Sequence, residues 1–204
     1  GGVMKSCSRL LRGVWRVAGG KHGEAAGANG KTAPTAVPLK AKKALADSLP
    51  LSDQQDFDDA RRGLIATPKA LKITRANGDV VWDMSAYDFI TGQPAADSVN
   101  PSLWRQAQLN GIHGLFKVTD GVYQVRGYDV SNVTLIEGKT GWIVVDPLTT
   151  TETAAAAMAL VKEHLGDKPV RAFIFTHSHL DHFGGALGVV TPEQVAQGKL
   201  RVVT

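Results

Sequence analysis

Four side chains that can bind metal ions lie within six residues of one another, at His177, His179, Asp181 and His182. Neutral imidazole and carboxylate are ligand types that bind zinc, iron or manganese in proteins. The single cysteine, Cys7, is far away in sequence and supplies no thiolate here. A protein-bound metal ion can lower the pKa of a coordinated water molecule. The H-x-H-x-D-H spacing therefore predicts a metal centre, and no catalytic group beyond a metal-bound water is assigned.

The other three histidines, His22, His113 and His164, each stand alone in the sequence. A single histidine is usually a solvated or core residue. His164 lies near the C-terminal end of a predicted helix, where a protonated imidazole simply suits the helix dipole. We therefore interpret none of the three as a metal ligand.

The residues before the metal cluster predict a strand that ends at the ligands. The run Val170–Phe175 is almost continuously apolar and β-prone, which is typical of a strand covered on both faces. Because side chains two residues apart in an extended segment point the same way, His177 and His179 can bind one ion, and the Asp-His pair that follows can face a second. The glycine pair, Gly184 and Gly185, permits close backbone approach, and a short helix is expected after it.

Charge and composition restrict the function classes. The chain has 204 residues and a net charge of +4, but residues 1–43 hold nine of the 23 Lys and Arg residues and a single acid, Glu24. A nucleic-acid-binding domain needs a basic face on its folded part, and this basic tail lacks aromatic side chains for base stacking apart from Trp15. No apolar run approaches the roughly 20 residues that span a bilayer. We expect no nucleic-acid partner and no transmembrane segment.

The chain divides into three predicted parts. Residues 1–45 read as a disordered basic tail or linker, because Gly19–Pro38 holds almost no large apolar residue. Residues 46–112 form a small module. It is predicted to contain a helix over about 53–62 that Ser52 and Gln55 cap, a β-hairpin that turns at Asn77-Gly78, and a helix over 102–109 behind Asn100-Pro101.

Residues 113–204 alternate regularly between strand and helix patterns. They predict two successive β-hairpins, an Ala-rich helix that Thr149 and Glu152 cap and Gly166 ends, the strand before the metal cluster, a short helix after Thr191 and a strand from Leu200. This order predicts an α/β layered sheet. A strand that breaks off so soon after it starts is expected for a fragment.

Asp146 ends the strand predicted at Trp142–Val145. A carboxylate in this position can accept a hydrogen bond from a ligating histidine and so fix the imidazole tautomer. The alternative is an ordinary turn aspartate before Pro147.

The metal cluster resembles a known signature. T-H-S-H-L-D-H-F-G-G at Thr176–Gly185 is similar to that of the metallo-β-lactamase superfamily, whose members mostly use one or two metal ions to activate water. Further stretches, over about residues 50–204, resemble the N-terminal part of the bacterial alkylsulfatases. They are F-D-D-A-R-R-G-L-I-A at Phe57–Ala66, V-N-P-S-L-W-R-Q-A-Q-L-N at Val99–Asn110, the run at Gly114–Asn132 that contains Y-Q-V-R-G, and G-W-I-V-V-D-P-L at Gly141–Leu148.

The resemblance implies a fold and a set of site residues. Residues 113–204 should form part of a metallo-β-lactamase αββα sandwich, preceded by the helix/hairpin module and the tail. Two Zn²⁺ ions are expected, one held by His177 and His179 and the other by the Asp-His pair of the cluster. Asp146 and Thr176 are expected to support these ligands. Further ligands are expected downstream of Thr204, so that this chain alone should lack turnover.

The resemblance also implies a reaction, the zinc-dependent hydrolysis of linear primary alkyl sulfates to an alcohol and sulfate. Alternatives are another hydrolase on the same fold, acting on thioesters, lactones or β-lactams, and an inactive metal-binding fragment. The resemblance further implies a homodimer for the full-length protein and a periplasmic or secreted location. The N-terminal residues show no clear signal peptide, because basic residues interrupt the apolar stretch Val3–Ala18.

Overall fold

The computed structural model describes residues 33–198 and 200–204 of the chain. The chain divides into two units, Gly1–Lys40 and Ala41–Thr204, and the sheet lies within the second. Residues Ala36–Ser48 form helix α1, which buries no side chain. Because residues 36–45 are helical, the predicted disordered tail is wrong there. Ala, Leu and Lys are good helix formers, and Pro38 lies in the first turn, where proline is tolerated. Residues 1–32 of that prediction lie outside the described residues.

The module before the sheet contains the predicted helices and hairpin. Its elements are α2 (Gln55–Arg61), β1 (Leu64–Ala66), β2 (Lys72–Thr74), β3 (Val80–Asp83), a 3-10 turn (Met84–Tyr87) and α3 (Pro101–Asn110). Strands β2 and β3 pair antiparallel, and the Asn100 side chain accepts from the first amides of α3. The predicted capping box of α2 is wrong, because the carboxylate of Asp53 accepts from the Gln55 amide instead, at 2.9 Å.

Within the described residues, seven strands form the main sheet, in the order β1-β4-β5-β6-β7-β8-β9. The five strands that follow the module are β4 (Gly114–Thr119), β5 (Val122–Arg126), β6 (Val133–Gly138), β7 (Gly141–Val145) and β8 (Val170–Ile174), and β9 is Arg201–Val203. Neighbours pair antiparallel up to β7, whereas β7, β8 and β9 run parallel. The predicted α/β layered sheet is confirmed, and β1, which was not predicted, joins it by pairing with β4.

Helix α4, Thr151–Leu165, packs on one face of the sheet. The core joins its Ala157 and Val161 to buried side chains from neighbouring strands, Leu115, Val125, Leu135, Val144 and Phe173. Gly166 ends α4, as predicted, and has φ 85°. The capping box at the start of α4 was predicted for Thr149 and Glu152, but Thr150 and Thr153 form it instead.

Strand β8 is less covered than its sequence predicted. Phe173 is its one buried residue, Arg171 is exposed and the other three are half-buried. The prediction of a strand covered on both faces is therefore wrong for the part of the chain that the structure describes.

The chain after β8 forms short elements only. They are α5 (Leu180–Phe183), a 3-10 turn (Ala186–Gly188) and α6 (Pro192–Ala196), whose predicted capping box is present. The short helix expected after the glycine pair is the 3-10 turn, and α5 precedes that pair. Within the described residues, none of the helices has the length and apolar character needed to cross a membrane.

Candidate metal centre

The metal cluster lies at the edge of the sheet where parallel strands β7 and β8 end. Val145 and Ile174, the last residues of the two strands, are paired in register. Asp146 follows the first strand, and the segment Thr176–Gly185, here called the metal loop, follows the second. The carboxyl ends of parallel strands are where open α/β sheets place their ligands. The fold therefore brings Asp146 and the metal loop together, although 30 residues separate Asp146 from Thr176.

Asp146 is 7% exposed and lies beneath the metal loop. Its Oδ1 accepts from the Thr176 amide at 2.8 Å, and its Oδ2 accepts from the Thr176 hydroxyl at 2.6 Å. The same Oδ2 lies 2.8 Å from Nδ1 of His182. The hydrogen bond between this aspartate and a histidine of the cluster, which the sequence predicted, is therefore present.

The backbone at Asp146 has an unusual conformation. Asp146 has φ 53° and Leu148 has φ 62°, values in the left-handed region that side chains other than glycine seldom adopt. Such conformations cost of order 1–3 kcal/mol and persist where surrounding contacts determine them. Here the bend turns the Leu148 carbonyl so that it accepts from the Gly185 amide at 2.9 Å.

The charge of Asp146 is set by opposing effects. Burial alone would raise the pKa of its carboxyl group, but the hydrogen bonds from Thr176 and the contact with His182 outweigh burial and lower this pKa below its ordinary value. Asp146 is therefore ionised at neutral pH. An ionised carboxylate can only accept, so Nδ1 of His182 carries the proton, and in the neutral imidazole Nε2 keeps its lone pair.

The same reasoning assigns the tautomer of His177. The Thr176 hydroxyl has one proton, which it donates to Asp146. Its oxygen also lies 3.0 Å from Nδ1 of His177 and must therefore accept from it. Nε2 of His177 is then the nitrogen that is free to bind a cation.

The structure brings the four predicted ligands together. The ring centroids of His177 and His179 are 4.6 Å apart, and those of His177 and His182 are 4.0 Å apart. Oδ2 of Asp181 lies 3.3 Å from Nε2 of His182. His177 and His179 are exposed, whereas Asp181 and His182 are half-buried.

Distances provide a test of whether a metal ion fits. A tetrahedral ion with bonds of about 2.0–2.1 Å holds its ligand atoms about 3.3–3.4 Å apart. The distance of 3.3 Å between Asp181 Oδ2 and His182 Nε2 meets this requirement for one pair. In residues 33–198 and 200–204, no group of three or more His, Cys, Asp and Glu side chains already has a ligating arrangement. The distance test therefore supports a metal ion at the pair Asp181 and His182.

The remaining histidines of the described region have other contacts. Nδ1 of His113 donates to the Gly111 carbonyl at 2.8 Å. His164 lies at the end of α4, with Nε2 3.9 Å from a carboxylate oxygen of Glu163.

Glycines let the metal loop lie directly on the segment after Asp146. A Cβ added at Gly185 would lie 2.1 Å from the Pro147 carbonyl oxygen, and one at Gly184 would lie 2.3 Å from that of Thr149. Real Cβ contacts are not this short, so no larger residue fits without displacement. The close approach predicted for the glycine pair is confirmed.

Two buried polar residues at this edge, Asp129 and Ser131, were not predicted. The carboxylate of Asp129 accepts from the amide and hydroxyl of Thr149, at 2.9 and 2.6 Å, and from the Thr153 hydroxyl at 2.6 Å. The Ser131 hydroxyl donates to the Asp181 carbonyl. Their partners lie 20 to 50 residues away in sequence, and the stretch Y-D-V-S-N has the composition of an ordinary loop, so no local signal marked them.

Comparisons with known proteins show which proteins this chain is similar to. The family model of the metallo-β-lactamase superfamily matches residues 126–201. The alkyl/aryl-sulfatase of Saccharomyces cerevisiae is 51% identical over 165 residues, which are 81% of this chain and 26% of the yeast protein. A linear primary-alkylsulfatase from a Pseudomonas species is 51% identical over 163 residues, 79% of this chain and 24% of that protein.

The solved structure of a stereoselective inverting sec-alkylsulfatase from a Pseudomonas species superposes with a TM-score of 0.77 at 49% identity. The match covers 82% of this chain and 26% of that one. The fold is thus of the type that the resemblance implied. The chain spans about a quarter of the length of these relatives.

Proposed function

We propose that this chain is the metal-binding part of an alkylsulfatase, because residues 126–201 match the metallo-β-lactamase superfamily model and the chain is about half identical to alkylsulfatases. This enzyme hydrolyses alkyl sulfates to an alcohol and inorganic sulfate. The observation that carries the proposal is identity of about half, over more than three quarters of the chain, to proteins named as alkylsulfatases. Their names span alkyl/aryl and primary substrates, so the choice of linear primary alkyl sulfates stays a prediction.

The proposed metal ions are two zinc ions. His177, through Nε2, and His179 would hold one, and Asp181 and His182 would hold the other, which the 3.3 Å distance between Asp181 Oδ2 and His182 Nε2 supports. Zinc, when bound, supplies a water that ionises near neutral pH and offsets charge on the sulfate oxygens. A catalytic zinc usually has three protein ligands. Because this chain offers two for each ion, the remaining ligands are proposed to come from residues outside it.

The side chains around Asp146 prepare the ligands for this role. Asp146 holds the Nδ1 proton of His182 and so directs Nε2 toward the cation. Asp146 also sets the tautomer of His177, through Thr176. The Thr176 hydroxyl donates to Asp146, and its oxygen accepts from Nδ1 of His177. One buried carboxylate thus sets the tautomer of a ligand in each of the two pairs.

Further properties of the whole protein are proposed from the family resemblance alone. They are a homodimer and a periplasmic or secreted location. The absence of a nucleic-acid partner also stays a prediction.

A substrate panel tests the proposed reaction. We expect a longer protein that contains this chain and the remaining ligands, loaded with zinc, to release sulfate from dodecyl sulfate. A secondary alkyl sulfate, a thioester, a lactone and a β-lactam complete the panel. Turnover of the last three without sulfate release would contradict the proposal. The 204-residue chain alone is expected to bind zinc weakly and to show no measurable turnover.

A further inference from the structure

Helix α5, which carries Asp181 and His182, is one turn long, and the hydrogen bond from His182 to Asp146 is one contact that holds it. Its cap residue His179 makes no side-chain capping hydrogen bond. Leu180 and Phe183 are 55% and 40% exposed, so apolar burial does little to fix it. A helix this short is not stable by its own backbone bonds. The orientation of its two proposed ligands must therefore come from contacts with the rest of the fold.

The carbonyl of Asp181 shows where one such contact lies. Within α5 the Gly184 amide donates to the Leu180 carbonyl at 2.8 Å. The next amide, that of Gly185, would pair with Asp181 in a continuing helix, but it donates to Leu148 instead. The hydroxyl of Ser131, which is 9% exposed, donates to the Asp181 carbonyl in its place.

Ser131 is itself held in place by the loop between β5 and β6. Two positions earlier, the buried carboxylate of Asp129 accepts from the Val130 amide at 2.6 Å and from Thr149 and Thr153. Val130 between them is 58% exposed. The loop is therefore anchored to the start of α4 on one side and reaches α5 on the other.

We propose that Ser131 is a positioning residue for the second metal pair, acting through the Asp181 carbonyl to fix the orientation of α5. The proposal rests on the proposed function, because it treats Asp181 and His182 as ligands. The first pair should not depend on Ser131, because His177 and His179 precede α5, and His177 is oriented through Thr176.

The test compares Ser131→Ala with Ser131→Thr, which keeps the hydroxyl, and with the control Ser48→Ala. Ser48 makes a similar bond, to the Leu45 carbonyl at 2.8 Å, on an exposed helix end. In the zinc-free 204-residue chain, loss of one hydrogen bond should speed amide exchange at Gly184 and Gly185 about 10-fold in Ser131→Ala. Ser131→Thr should restore protection, and Ser48→Ala should match the wild type.

Zinc binding, measured by competition with a chromophoric chelator, distinguishes positioning from simple stabilisation. Ser131→Ala should weaken zinc binding about 10-fold in a His177→Ala background, where the second pair is intact, since one hydrogen bond is worth roughly a decade. It should have no further effect in a His182→Ala background. Equal weakening in both backgrounds, unchanged zinc binding or unchanged amide exchange would overturn the proposal. Failure of the proposed function looks different, because wild type and Ser48→Ala would then bind no zinc.

Discussion

Two buried aspartates at the same edge of the sheet, Asp129 and Asp146, make almost the same hydrogen bonds. Each accepts from the amide and the hydroxyl of one threonine, at 2.9 and 2.6 Å from Thr149 and at 2.8 and 2.6 Å from Thr176. The difference lies in the further donors. Asp129 also accepts from the Val130 amide and from the Thr153 hydroxyl in the first turn of α4, whereas Asp146 accepts from the imidazole of His182.

The comparison teaches which observation indicates function. A buried, fully hydrogen-bonded carboxylate is a common structural device, because burial of a charge without partners is costly. Asp129 uses the device to fix a helix start, and Asp146 uses it to fix a histidine. The histidine donor, rather than burial, distinguishes Asp146 from Asp129.

The largest effect on stability and metal binding is expected at Gly185 of the metal loop, which packs against Pro147 and Thr150. In Gly185→Ala the added Cβ would overlap the Pro147 and Thr150 carbonyl oxygens, at 2.1 and 2.7 Å. We expect the free energy of unfolding to fall by about 3 kcal/mol, since overpacking of this severity costs that much, and zinc affinity to fall about 100-fold. Denaturant titration and chelator competition measure the two effects.

A matched control is Gly111→Ala, at φ −70°, where the nearest atom would be 3.2 Å away. Its effect should stay below about 1 kcal/mol. Similar losses in both variants would show that the contact at Gly185 is not the cause.

Asp146→Asn should act mainly on metal binding. The amide cannot serve as the anionic acceptor for Nδ1 of His182, so zinc affinity should fall about 10–100-fold, as for other carboxylates that orient ligating histidines. Chelator competition measures the change. Asp167→Asn is the control, because Asp167 is exposed and forms an ion pair with Lys162. An affinity equal to wild type in Asp146→Asn would remove the distinction between the two aspartates.

Asp129→Asn should act mainly on stability. The Thr149 and Thr153 donors would lose a charged acceptor, and a hydrogen bond to a charged group is worth about 1.5–3 kcal/mol. We expect the free energy of unfolding to fall by about 2 kcal/mol while zinc affinity changes less than about 3-fold. A zinc loss as large as that of Asp146→Asn would contradict the assignment of Asp129 to the scaffold.

The smallest expected effect concerns Tyr128, the neighbour of Asp129 in the sequence. It is a fall in the free energy of unfolding at alkaline pH. Burial, and then the charge of Glu163, raise the pKa of Tyr128 to about 12. A folded-state pKa above the unfolded value of about 10 stabilises the fold fully below pH 10, and this contribution is lost as pH rises through 12. Between pH 9 and 11 the free energy of unfolding of the wild type should fall by roughly 1 kcal/mol more than that of Tyr128→Phe. Parallel pH profiles of unfolding in urea for the two proteins would contradict this.

The sequence predicted the elements and site residues whose signals are local. Asn77-Gly78 marked a hairpin and Asn100-Pro101 a helix start, because these residues act on their own backbone. The H-x-H-x-D-H spacing located the cluster, and a strand end located Asp146.

The features that the sequence did not predict depend on contacts with residues far away in the chain. Thr149 was predicted to cap α4, but its hydroxyl donates to Asp129, 20 residues earlier, and Thr150 takes the cap. Strand β1 is three residues long and exists through its pairing with β4. Ser131 has no recognisable spacing to Asp181, because the fold alone brings the two together.

The most direct test of the central claim is the ¹⁵N spectrum of the imidazoles of His177 and His182 in the zinc-free chain. The claim is that Asp146, directly and through Thr176, holds both rings with the proton on Nδ1 and the lone pair on Nε2. We predict this tautomer for both rings in the wild type and in Asp129→Asn, and its loss in Asp146→Asn. A neutral His182 ring with its proton on Nε2 rather than Nδ1 in the wild type, or spectra that Asp146→Asn leaves unchanged, would contradict the claim.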